Sequence, residues 1–123
     1  MRKLLEEHLD IPYNRICMHE FVASASNLSP YNVRALDLAK AILDAGYHAP
    51  TIYFPLIIKE CLMFEPTETE SKETLDQFCT DLIAIIEEAK TNPEAVVACP
   101  VNLPVRRLDE TKAAKDMVLT DDV

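Results

Sequence analysis

Apolar residues fall in groups along this chain, and their spacing predicts what each group becomes. Near the start, Leu4, Leu5, His8 and Leu9 share one side of a short helix that Pro12 closes. Over residues 15–23 the spacing changes to alternation, with Ile16, Met18 and Val22 on one face of a strand and Cys17, Phe21 and Ala23 on the other. Both faces are apolar, so this strand is expected to be covered on both sides, with His19 and Glu20 as its polar interruptions. Residues 24–30 are a polar connector. A helix is expected from about Tyr31 to Ala45, with Ser29 or Asn32 available as cap and Pro30 tolerated near the first turn. Its apolar stripe is Ala35, Leu36, Leu38, Ala39, Ile42 and Leu43, and Arg34, Asp37, Lys40 and Asp44 lie opposite. Gly46 stands where a left-handed C-terminal cap is needed.

A loop over 48–51 leads to an apolar run, 52–58, that reads as a strand; Pro55 restricts it to a sheet edge or a bulge. Lys59 and Glu60 separate it from a second strand over 61–65. A hairpin-like pair is expected, although the connection lacks Asn-Gly chemistry. Thr67 and Glu70 have capping-box spacing, and the acidic residues around them suit a helix N-terminus. Leu75, Phe78, Cys79, Leu82, Ile85, Ile86 and Ala89 then recur at helical spacing to about Lys90, where Asn92-Pro93 stops the helix. The remainder, 95–123, is punctuated by proline, with a short helix over about 108–115. Strand, helix, strand, strand, helix and extended tail make a small α/β layer.

Composition narrows the chemistry. The chain has 123 residues, enough for one domain over 1–123, with 21 Asp+Glu against 12 Lys+Arg and a net charge of -9. Clustered Lys and Arg are absent, which argues against nucleic acid and anionic membranes as partners. No apolar run reaches the roughly 20 residues of a membrane span, and glutamates interrupt the N-terminal stretch where a signal peptide would be apolar. A cytoplasmic chain is expected. Only 1 glycine is present, which excludes the glycine-rich phosphate loops.

Each chemical candidate has a plainer explanation beside it. The four cysteines, Cys17, Cys61, Cys79 and Cys99, lie too far apart for a zinc knuckle, so buried reduced thiols are expected and no metal. Cys17 and His19 share a face through strand geometry alone. His19 and Glu20 would point to opposite faces of that strand and so cannot act as an acid–base pair. Glu65, Glu68 and Glu70 are explained by a helix start. No catalytic residue is assigned.

The segments nevertheless resemble one family. Arg15-Ile16-Cys17-Met18-His19-Glu20-Phe21-Val22 is similar to the RxMHEFV segment of glycine dehydrogenase (decarboxylating), the P-protein of the glycine cleavage system. Gly46-Tyr47-His48-Ala49-Pro50-Thr51 resembles its GFHxPT loop, and Glu65-Pro66-Thr67-Glu68-Thr69-Glu70 its EPTESE-type helix start. Pro104-Val105-Arg106-Arg107-Leu108-Asp109-Glu110 resembles its PVRRLDE segment. Thr51-Ile52-Tyr53-Phe54-Pro55-Leu56 looks most like the second subunit of split prokaryotic forms. Two departures stand out: Val101-Asn102-Leu103 follow Pro100 where that family carries a His, and the chain ends in Thr120-Asp121-Asp122-Val123 rather than a basic or aromatic segment.

The resemblance implies the small C-terminal domain of a pyridoxal-phosphate enzyme with the aspartate-aminotransferase fold. It implies an oxidoreductase of glycine catabolism that decarboxylates glycine and passes an aminomethyl group to the lipoyl arm of the H-protein. Partners would be the large domain of the same polypeptide, subunit 1 and the H-protein. No segment resembles the motif of the Schiff-base lysine, so no cofactor-binding residue is assigned, none is expected bound to this chain, and the chain alone is expected to be inactive. His48, Thr51, Tyr53 and Phe54 are the expected cleft-lining residues, because polar and aromatic groups there precede an apolar run. Ile16, Met18, Val22, Tyr53 and Phe54 are candidates for surface that the large domain covers. The rival reading is a stand-alone α/β interaction module whose two-sided strand needs cover from a partner.

Overall fold

Three short strands form an antiparallel sheet in the order β1-β3-β2: Phe21–Ser24 (β1), Thr51–Ile52 (β2) and Cys61–Phe64 (β3). The computed structural model describes residues 1–120; the acidic end noted above, Asp121 to Val123, lies outside them. Phe21 pairs with Phe64, Ala23 with Leu62, and Ile52 also with Leu62. Side chains alternate along a strand, so these residues share one face of the sheet. That inner face meets the helices Ala35–Asp44 (α2) and Lys72–Thr91 (α3), and the Phe21 and Phe64 rings stack on it at 5.1 Å. Leu28, Leu38, Ile42, Leu62, Leu82 and Ile86 are fully buried in the core between them. The α/β reading holds, as does the order strand, helix, strand, strand, helix. The expected hairpin-like pair is β2 with β3, with β2 on the edge.

The apolar runs overstate the strands. The alternation over 15–23 yields only β1, because residues 13–20 make turns and bends and leave Ile16 and Met18 in solvent. Val22, on the same expected face, is buried. The run over 52–58 contributes only Ile52. Tyr53 then turns out of the strand with φ 58. At the N-terminus the helix is a single turn, Arg2–Leu5 (α1), and Leu5, Leu9 and Ile11 are buried while Leu4 is exposed.

Both expected helix starts are displaced. A 3-10 helix, Ser26–Tyr31, occupies the connector and ends at Asn32 with φ 59, so α2 begins at Ala35 and neither Ser29 nor Asn32 caps it. Its free amides find carboxylates instead: Arg34 N–H donates to Asp37 Oδ2 and Ala35 N–H to Glu60 Oε2, each at 2.8 Å. Asp37, read as a polar-face residue, is 7% exposed because Arg107 Nη1 reaches its Oδ1 at 2.7 Å. At the other end Gly46 has φ 89, and the bonds Gly46 N–H to Leu43 C=O and Tyr47 N–H to Ile42 C=O make the expected left-handed cap.

Helix α3 starts at Ser71, whose Oγ accepts Thr74 N–H at 3.1 Å; Thr67 sits one turn too early, in a turn closed by Glu70 N–H on its own C=O. Removing the cap with Ser71→Ala is expected to cost about 1 kcal/mol, whereas Thr67→Ala stays within about 0.5 kcal/mol. Urea midpoints of the two variants give that order; the reverse order would put the cap back at Thr67. Asn92 ends α3 as expected, but a further helix, Pro93–Ala98 (α4), begins at once with proline in its first turn and packs on α2 and α3. The short tail helix is present as Glu110–Lys115 (α5). The tail is tied to α2: Asp44 accepts Val101 N–H at 2.8 Å and Asn102 N–H at 2.7 Å, and those amides hold its carboxyl below the ordinary 3.8.

Candidate functional site

The outer face of the sheet carries Val22 and Ser24 of β1, Thr51 of β2, and Cys61 and Met63 of β3. Bare, it would expose strand residues that are mostly buried here. Loop 53–60 lies over it instead, fixed by polar bonds. Ser24 Oγ donates to Lys59 C=O at 2.6 Å, Cys61 Sγ to Phe54 C=O at 3.0 Å, and Ala25 N–H to Glu60 C=O at 2.9 Å. Burial under this loop pushes the Cys61 thiol up and keeps it protonated. Beside the loop, a cavity of about 440 Å³ lies over Val22 and Met63, walled by Pro55 and by the segment from Arg15 to Glu20. Strand β1 is therefore covered on both sides, by helices within and by loops without.

A second cavity, of about 410 Å³, opens between the 47–51 loop, the end of β3 and the first turns of α3. Phe64, Phe78 and Tyr47 give it an aromatic floor, with Phe78 edge-on to both of the other rings. The Tyr47 hydroxyl donates to Asp81, and that carboxylate raises its pKa. His48 and Thr51 line this groove, whereas Tyr53 and Phe54 do not. Tyr53 lies beyond the end of β2, where burial raises its pKa and Arg34 and Glu60 are its charged neighbours. The four expected cleft residues thus divide into a groove pair and a loop pair.

Other candidates separate too. Residues 13–20 are not a strand, so His19 Nε2 and Glu20 Oε2 are free to approach to 3.7 Å, both in solvent. Cys79 is core, as expected, and Cys61 is buried, but Cys17 is exposed on the same irregular segment. Among the described residues no three His, Cys, Asp or Glu side chains are placed to hold a metal ion. The pyridoxal-phosphate chemistry implied by the resemblance needs a lysine for the carbonyl and donors for the phosphate. No lysine lines either cavity, and the groove presents Glu65 and Glu70, which repel a phosphate. The residues lining these two cavities do not fit that cofactor. Sequence reasoning read Leu56 and Ile57 as part of an edge strand or bulge and missed that both lie in solvent, and it missed the pairing of Arg107 with Asp37.

The comparisons bear directly on this arrangement. A family sequence model described as "Glycine dehydrogenase, C-terminal domain" matches residues 1–104. This chain belongs to that family. Three similar proteins each carry the name "Probable glycine dehydrogenase (decarboxylating) subunit 2". The Lysinibacillus sphaericus protein is 56% identical over 119 residues, covering 97% of this chain and 24% of its own length. The Staphylococcus saprophyticus protein is 55% identical over 115 residues, covering 94% and 23%. The Thermotoga maritima protein is 54% identical over 119 residues, covering 96% and 25%. The chain spans about a quarter of the length of the relatives it matches. Their name as a subunit 2 implies a partner subunit for them. The segments that resemble the glycine dehydrogenase family sit at four places described above: the irregular approach to β1, the loop bearing His48 and Thr51, the turn over 65–70 that borders the groove ahead of α3, and the tail that brings Arg107 to Asp37. Among the described residues no helix is long and apolar enough to cross a membrane.

Proposed function

We propose that residues 1–123 form the small C-terminal domain of a bacterial, cytoplasmic glycine dehydrogenase (decarboxylating) subunit 2. The whole enzyme removes the carboxylate of glycine and hands the aminomethyl group to the lipoyl arm of the H-protein. Pyridoxal phosphate supplies the electron sink for that chemistry and is held outside this chain. This domain contributes one wall of the cleft: His48 and Thr51 in the groove, Tyr53 and Phe54 at the loop. The observation that carries the reading is the family match over 104 residues, joined to relatives that are more than half identical across nearly the whole chain.

The test is a chimera in which this chain replaces the matching quarter of the Thermotoga maritima subunit 2. With its subunit 1 and H-protein, the chimera is expected to exchange labelled bicarbonate into glycine. The 123-residue chain alone is expected to show no exchange and, after borohydride reduction with the cofactor, no stoichiometric adduct on any one lysine. A folded chimera without exchange, or a single-site adduct on the chain alone, would overturn the reading.

A further inference from the structure

We propose that the loops roofing the outer face of the sheet form the surface on which the preceding part of the same subunit seats. The inference rests on the reading above and assigns it a place on the fold. The roof is apolar on its outside. Ile16 and Met18, which line the cavity, are 95% and 97% exposed, and Leu56 and Ile57, which follow the cavity-lining Pro55 in the chain, are 87% and 77% exposed; Phe54 adds more than half its surface. Side chains in a loose loop could turn inward to escape water. These on loop 53–60 cannot, because Ser24, Ala25 and Cys61 hold its backbone at Lys59, Glu60 and Phe54. A tied loop that points large apolar groups outward is a docking surface rather than a collapsed one.

Three facts select the occupant. The matched family is a C-terminal domain, so what relatives carry besides it comes before it in sequence. That remainder is about three quarters of their length. The segment running into β1, one of those that resemble the glycine dehydrogenase family, carries Ile16 and Met18 almost wholly in solvent. Around the apolar centre the charged side chains are mixed in sign, Arg15 beside Glu20, so the seat is apolar with a polar rim.

Oxidation of Met18 reads the surface. Peroxide is applied to the 123-residue chain and to the chimera described above, and sulfoxide is followed by mass spectrometry, with exposed Met117 as internal reference. Met18 is expected to react at least tenfold more slowly in the chimera, and Leu56→Asp with Ile57→Asp is expected to restore its reactivity. Hydrogen exchange over the segments matching 13–20 and 53–58 in the unaltered Thermotoga maritima subunit 2, compared with its isolated C-terminal quarter, must agree and needs no chimera. Met18 reactive in a chimera that exchanges bicarbonate overturns the surface and leaves the domain reading standing. Protection that appears only when subunit 1 is added, or in the 123-residue chain as its concentration rises, names the other subunit or a second copy as occupant and overturns it too.

Discussion

Leu82→Ala is expected to destabilise this chain by about 2–5 kcal/mol. Leu82 is 1% exposed on the face of α3 that meets the sheet, in one cluster with Leu38, Ile42 and Ile86. Truncation forfeits the transfer energy of the side chain and leaves a cavity within this cluster, whose walls relax only in part. Domains of this size carry about 5–15 kcal/mol in all, so the loss is a large part of the total. The contrasting position on the same helix is Ala84, which is exposed; Ala84→Ser there stays within about 0.5 kcal/mol. Denaturant unfolding of both variants measures the difference. A near-neutral Leu82→Ala would mean that α3 presents another face to the sheet.

Asp37→Ala is expected to cost on the order of 1.5–3 kcal/mol, the range for hydrogen bonds to a charged group. The carboxylate accepts the Arg34 amide at the start of α2 and the Arg107 guanidinium from the tail, while Arg107 Nε donates to Cys99 C=O at 2.8 Å. Losing it frees a helix amide and the Arg107 attachment together, leaving Asp44 to hold the tail at Val101 and Asn102. The Arg107 side chain is 32% exposed and can turn to water, so the cost stays below that of stranding a fully buried charge. Asp37→Asn keeps an acceptor for the Arg34 amide and is expected to lose roughly half as much. Trypsin distinguishes a local from a global effect: cleavage at Arg106 and Arg107 should accelerate in Asp37→Ala before the core opens. Unchanged cleavage would show that the latch lies elsewhere.

Helix α3 was legible because its apolar positions have a helical period; the sequence spacing puts its cap at Thr67, which has a glutamate three residues on, whereas the structure uses Ser71, which has Thr74 there. Gly46 was legible because a single glycine after a helical stripe has few other uses. The two overlong strands failed for a common reason. Alternation at Ile16, Met18 and Val22, and the unbroken run through Leu56 and Ile57, report that these side chains are apolar, not which surface covers them. Val22 is covered within the chain, whereas Ile16, Met18, Leu56 and Ile57 are not. Among the site residues, His48, Thr51, Tyr53 and Phe54 stand out together because polar and aromatic groups there precede an apolar run; the structure puts His48 and Thr51 in the groove and the other two outside it, because the chain turns out of β2 at Tyr53. The Arg107–Asp37 pair spans 70 positions, and nothing local in the sequence marks it.

The brevity of β2 has a consequence for how such chains meet one another. Sheet edges recruit further strands through unpaired backbone groups, and growth along an edge needs several residues in register. Here the open edge offers only Thr51 and Ile52, between Pro50 and a residue at φ 58, and the opposite edge is partly taken by the bridge from Asp10 to Ser24. A second chain arriving at either side finds too few partners to extend the ladder. The molecule can therefore display a greasy roof without also being a seed for fibrils: contact through side chains is open to it, and growth through the backbone is not.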